Sequence, residues 1–171
     1  MQYIEKNDGL SKQIVFLDFD GVLNTAHYIH ALESRKLQCN DEYGPLFDPA
    51  SISYLGEIID KTDAKIVVTS SWKNLMSFPD ILNMWHKRSL PGEVIDVCPI
   101  PEGRRKRGDE VDAWISECKE SCQYVILDDM SSGNFSKHQL EHLIVVNPYY
   151  GIDQETVERA IDILNTPILT Q

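Results

Sequence analysis

At 171 residues, with 42% hydrophobic and 25% charged side chains, the chain has the composition of one soluble globular domain, long enough for a core and unlike a disordered segment. Its 27 acidic against 16 basic residues give a formal net charge of −11, which repels polyanions on average and excludes broad, sequence-independent nucleic-acid binding. No apolar stretch approaches the roughly 18–20 residues that span a bilayer, and Met1–Lys12 lacks a signal peptide's hydrophobic segment, so a cytoplasmic protein without a membrane partner is expected.

After that polar lead-in, Ile14–Leu17 is a continuous apolar run that reads as a strand buried on both faces, and it ends directly in DFDGVLN. Residues 24–47 are irregular, with Gly44 and Pro45 near their end, and read as a flap too small for a cap domain. Asp48 and Pro49 form a helix start, a capping carboxylate followed by a proline at the first helical position, with Ile52, Leu55, Ile58 and Ile59 on one face. Lys65–Thr69 (KIVVT) is a second buried strand leading into SSW and a helix restarted at Pro79. A short strand is expected at Val94–Val97, then a helix whose inner face carries Val111, Trp114, Ile115 and Cys118. Tyr124–Leu127 (YVIL) is the third strong strand, closed by Asp128 and Asp129. Leu143–Val146 and a helix with Val157, Ala160, Ile161 and Leu164 inward complete the order.

Strand alternating with helix predicts an α/β, Rossmann-like three-layer sandwich, a central parallel sheet with right-handed crossovers, as one domain over residues 1–171. Ligands in such sheets bind beyond the carboxyl ends of the strands, at a topological switch point, where every polar cluster named above falls. The four cysteines, Cys39, Cys98, Cys118 and Cys122, have no CxxC spacing. Cys118 and Cys122 read as reduced helix-face residues, with a zinc site or a disulfide as the alternatives. The five histidines, His27, His30, His86, His138 and His142, form no metal-ligand spacing, and Trp72, Trp85 and Trp114 fall where helices pack, as core residues rather than base-stacking platforms. Arg104, Arg105, Lys106 and Arg107 are the one dense basic run, a solvated loop in most proteins and a local anion site in some.

Asp18 and Asp20 leave a buried strand one residue apart, and Gly21 lets the backbone turn beside a ligand with no Cβ in the way. With DFDGV in this position, the sequence resembles the haloacid dehalogenase (HAD) superfamily, which opens with a strand and DxDG. The resemblance implies that Asp18 attacks phosphorus, while Asp20 protonates the leaving oxygen and later deprotonates water. It also implies a phosphate-holding hydroxyl closing a second strand, Thr69 with Ser70 as alternative or helper, in IVVTSSW. The superfamily's third element is a cation, usually a lysine near a helix start. RKRGDEVDAWI offers Arg107 in that place, with Lys106 and Arg104 competing and Arg104 and Lys106 available to hold a neighbouring phosphate.

The fourth element is an acidic pair, Asp128 and Asp129 in YVILDDM. Adjacent carboxylates at a buried strand end repel one another unless a cation sits among them, which points to Mg2+ held by Asp18, the Asp20 carbonyl and Asp128, with Asp129 acting through water. The resemblance covers Ile14 to Leu164. RGDEVDAWI, YVILDDM and HLIVVNPYYGI further resemble small superfamily members found beside RNA-repair enzymes. A Mg2+-dependent phosphomonoester hydrolase with an open mouth is therefore expected, its substrate a small nucleotide, a polynucleotide end or a phosphoprotein. A phosphotransferase or mutase of the same chemistry and an inert phosphate-binding module are the alternatives.

Overall fold

The computed structural model describes residues 12–166; the polar lead-in up to Ser11 and residues 167–171 lie outside it. The chain runs β1 (Lys12–Leu17), α1 (Ala26–Ser34), a small hairpin of β2 (Asn40–Asp41) and β3 (Gly44–Pro45), then α2 (Pro49–Thr62), β4 (Lys65–Val68), α3 (Phe78–Lys87), β5 (Val94–Val97), α4 (Arg107–Glu117), β6 (Cys122–Asp128), β7 (Leu143–Val145) and α5 (Gln154–Asn165). β1, β4, β5, β6 and β7 form one parallel sheet in the order β5-β4-β1-β6-β7. The chain builds outward from β1 through β4 to β5, then crosses back to place β6 and β7 on the other side. The switch point falls between β1 and β6.

Alternation along β1 explains why its sequence is apolar throughout. Val15 and Leu17 enter the larger cluster with Leu55 and Ile58 of α2, Met84 and Trp85 of α3, and Val157 and Ala160 of α5. Ile14 and Phe16 point the other way, into a cluster with Val111 and Trp114 of α4. These residues of β1 are fully buried, each contributing on the order of 1.5–3 kcal/mol. The result is three layers, a sheet with α2, α3 and α5 on one face and α4 on the other. None of the described helices is long and apolar enough to cross a membrane.

Helix starts follow local chemistry. Asp48 caps α2 by accepting the N–H of Ala50 at 2.9 Å, with Pro49 in the first turn, and Ser77 and Asp80 form a capping box on α3. Residues 24–47 depart from the expected irregular flap: they hold the nine-residue α1 and the β2–β3 hairpin, and no cap domain. α1 buries only Leu32, so it carries little amphipathic signal. Its start is held from outside, by Thr25 Oγ1 accepting from Tyr28 N and by the amides of Ala26 and His27 donating to the carbonyls of Pro148 and Tyr149. The reading of Cys118 and Cys122 on one helix face is also corrected. α4 stops at Glu117, Cys118 is its extended C-cap, and Cys122 opens β6. All four cysteines are free.

Candidate active site

Three adjacent strands deliver their last residues to one place. Asp18 directly follows β1 and donates its amide to Leu127 O of β6 at 3.0 Å, while Thr69 directly follows β4 and donates to Leu17 O at 2.9 Å. Asp128 ends β6. Parallel register thus sets Asp18 between Thr69 and Asp128, all three buried. Single carboxylate oxygens of Asp18, Asp128 and Asp129 lie within 4.8 Å of one another.

So many acids with so little water is electrostatically costly. Burial, then the Asp128 carboxylate, pushes the Asp18 carboxyl up to about 7, against the pull of Arg107, the Phe19 amide and Ser70. Burial also raises Asp128, opposed first by Arg107, and raises the half-buried Asp129. Arg107 is the cation in contact. Only 4% exposed, its guanidinium lies 3.9 Å from Asp18 Oδ2 and 3.3 Å from Asp128 Oδ2.

The placement of Arg107 depends on Gly108. A Cβ there would meet Gln139 Oε1 at 2.3 Å, so the glycine lets the start of α4 approach the 135–139 segment, where Gln139 Nε2 donates to Gly108 O at 3.0 Å. Asp109 holds the turn before it, accepting the amides of Arg105 and Lys106 at 2.8 and 2.9 Å. Among the described residues, the ion pairs of Asp18 and Asp128 are with Arg107 alone. Lys106 is an exposed N-cap residue and Arg104 is engaged by Glu110. Arg104 pairs through Nε with the buried Glu110 carboxylate while its side chain stays about a third exposed, and Lys106 makes no ion pair among the described residues.

Thr69 Oγ1, Arg107 Nε and Asp128 Oδ2 are buried polar atoms with no hydrogen-bond partner. Arg107 Nε and Asp128 Oδ2 lie 3.3 Å apart as an ion pair without hydrogen-bond geometry, so with the Thr69 hydroxyl they keep hydrogen-bonding capacity for a ligand, as buried polar groups seldom do. The hydroxyl and guanidinium suit phosphoryl oxygens. The all-oxygen acidic cluster suits a hard divalent cation such as Mg2+. Ser70 is as buried as Thr69, but its hydroxyl accepts the Trp72 amide at 3.4 Å as the cap of a 3-10 turn. Thr69 therefore has the uncommitted hydroxyl.

Asp20 stands differently. It is exposed, and its orientation is held by two donors: Trp72 Nε1 lies 3.1 Å from each carboxylate oxygen, and Asn24 Nδ2 lies 2.7 Å from Oδ1. Gly21, at φ +72°, lets the loop turn under Asp129. A Cβ there would lie 2.5 Å from Asp129 Oδ2. Asp20, Gly21, Asn24 and Asp129 open together on a cavity of about 430 Å3 that also reaches Pro45 and Pro148.

Several of these residues escaped the sequence reading. Trp72 is core, as expected, packed edge-on to Phe19 at 5.5 Å, yet its indole N–H serves Asp20. Lys73 is buried, its ammonium donating to Thr69 O at 2.9 Å and pairing with Glu110. Burial holds its pKa below the usual lysine range, with Glu110 opposing. Glu110 joins Lys73, Arg104 and Arg107, the last at 3.6 Å. The only local signals were spacings, Lys73 four residues after Thr69 and Glu110 three after Arg107. No histidine belongs to the acidic cluster: His138 pairs with Asp112, and His142 stacks on Tyr124.

Residues 14–157 match the family model described as the HAD domain in Swiss Army Knife RNA repair proteins. No curated protein and no solved structure matches. The matched span runs through every strand-end cluster from Asp18 to Asp129, and on that match the chain belongs to the family of HAD domains in Swiss Army Knife RNA repair proteins.

Proposed function

We propose that the chain is a Mg2+-dependent phosphomonoester hydrolase in which Asp18 is the nucleophile and Asp20 the acid/base. The observation that carries this reading is the pairing of one acidic cluster, Asp18, Asp128 and Asp129, with buried atoms of Thr69, Arg107 and Asp128 that have no hydrogen-bond partner. Asp18, Asp128 and Asp129 would hold the cation, which supplies charge neutralisation between the carboxylates and a bound phosphate. Thr69 and Arg107 bind phosphoryl oxygens, the guanidinium offsetting charge on the nucleophile as well. An Asp18 oxygen bonds to phosphorus as the ester P–O bond breaks, and Asp20 gives its proton to the departing oxygen. Asp20 then takes a proton from a water that attacks the aspartyl phosphate, releasing inorganic phosphate and restoring Asp18.

Asp20 lies open to solvent, which favours water as the acceptor over transfer to a second substrate. The described residues hold no cap domain, which leaves room for a bulky phosphate ester, a nucleotide or polynucleotide end in keeping with the family's RNA-repair setting. The test is phosphate release from p-nitrophenyl phosphate and from 3′- and 5′-phosphorylated oligonucleotides. Turnover with Mg2+ that chelator removes and Asp18→Asn abolishes is expected. Activity persisting in Asp18→Asn would overturn the mechanism.

A further inference from the structure

The NPYYG turn after β7 plays no part in the chemistry above, yet it is pinned by hydrogen bonds and close packing on the elements beside it. Tyr149 N donates to Asn147 Oδ1 at 2.9 Å and Gly151 N to Asn147 O at 2.8 Å. Gly151, at φ +72°, sits so close to the loop after β1 that a Cβ would meet Val22 O at 2.7 Å and Thr25 Cγ2 at 2.6 Å. The carbonyls of Pro148 and Tyr149 take the first amides of α1. A turn clamped to both the Asp18–Asp20 loop and the flap helix nevertheless holds two large rings outward, Tyr149 40% and Tyr150 59% exposed.

These rings are not isolated. Tyr149 and Tyr150 meet edge to face at 4.8 Å, His27 lies 5.7 Å from each, and His30 lies 6.1 Å from Tyr149. His30 and Pro148 also line the cavity onto which Asp20 and Asp129 open, so Tyr149 adjoins the site's mouth through these two neighbours, while Tyr150 and His27 line a separate cavity with Tyr28 and Asp48. No lysine or arginine is among that cavity's described lining residues. Beyond the two carboxylates of the site, Asp20 and Asp129, what the mouth and the adjoining Tyr149 offer a substrate is flat ring surface rather than cationic side chains. Aromatic side chains displayed outward are what a planar heterocycle stacks on, whereas a polyanion's backbone would find no counter-charge in that cavity's lining.

We infer that Tyr149, with His30, forms a stacking platform for the single base next to the phosphate that enters the site, so that the chain selects nucleotide over base-free phosphates by stacking rather than by backbone charge. The inference rests on the phosphatase reading for where the phosphate lies. The platform itself is read separately, through fluorescence.

The probe is 2-aminopurine riboside 5′-monophosphate, whose fluorescence falls on stacking, titrated with Mg2+ into the full chain carrying Asp18→Asn. Saturable quenching is expected, weakened about tenfold by an added Tyr149→Ala but not by Tyr149→Phe, with ribose 5-phosphate a poorer competitor than adenosine 5′-monophosphate. In the chain with Asp18 intact, Tyr149→Ala should lower the kcat/KM ratio of nucleotide over ribose 5-phosphate by about tenfold. Quenching without turnover of any ester would sink the phosphatase reading and leave the platform standing. Turnover without quenching, or equal competition by ribose 5-phosphate, would overturn the platform. Binding that tightens steeply with oligonucleotide length and weakens with salt would overturn it in favour of a backbone groove.

Discussion

Trp72 does two jobs with one ring. Its ring belongs to the aromatic core with Phe19 and Phe47, and its N–H reaches the only exposed acid of the site, Asp20. Trp72→Phe keeps most of the packing and removes the indole N–H, so Asp20 loses one of its two orienting donors. The expected outcome is a loss of about tenfold in kcat on alkyl phosphates, whose leaving oxygen needs a proton, and a much smaller loss on p-nitrophenyl phosphate, whose leaving group does not. A steady-state comparison of the two substrates checks it; equal losses would mean the ring acts through packing alone. At Gly21 the constraint is steric. Gly21→Ala places a methyl against Asp129 at a backbone angle that disfavours any Cβ. Weakened Mg2+ activation at nearly unchanged KM for phosphate ester is expected, measured by metal titration of turnover.

At the scale of elements, the flap and the first layer helix share one residue. Asp48 caps α2 through Ala50 N at 2.9 Å and accepts Thr25 Oγ1 at 2.7 Å, tying the flap's first residues to the helix that follows it. Asp48→Ala should cost about 1–3 kcal/mol, from the lost cap and the orphaned, buried Thr25 hydroxyl. Urea denaturation measures it; a loss below about 0.5 kcal/mol would show that the tie contributes little. The far end of the flap is held separately, by Arg88 at the end of α3 chelating Asp41 of β2 at 2.6 and 2.9 Å. That pairing is the main reason the Asp41 carboxyl lies below the usual range.

For the whole molecule, the acidic cluster couples stability to pH and to metal. Asp18 is raised from 3.8 to about 7 in the folded chain, so between those values the folded state binds more protons than the unfolded one. Without a divalent cation, the contribution of Asp18 to stability should therefore be fullest in acid and be lost as pH rises toward about 7, the reverse of a carboxylate held in an ordinary ion pair such as Asp41. A bound cation prefers the deprotonated cluster and offsets that loss. The melting temperature gained on adding Mg2+ should be larger at pH 8 than at pH 5. Equal gains, measured by thermal denaturation with and without chelator, would remove the cluster as the cause.

What the amino-acid order determined by itself was everything expressed within a few residues: the buried runs of β1, β4 and β6, the acids and hydroxyl that end them, and the Asp48–Pro49 helix start. Those are short-range matters of period, burial and capping, and the strand order then brings Asp18, Thr69 and Asp128 side by side. Tertiary structure decided the rest. That Arg107, rather than Arg104 or Lys106, meets Asp18 depends on how closely Gly108 lets α4 approach Gln139. That Trp72, Lys73 and Glu110 serve the site depends on a turn after β4 lying beside the start of α4, 37 residues away in sequence between Lys73 and Glu110. α1 stayed hidden for the same reason: its start is bonded to the distant Pro148–Tyr149 segment, and a helix held by partners far along the chain leaves no periodic trace in its own residues.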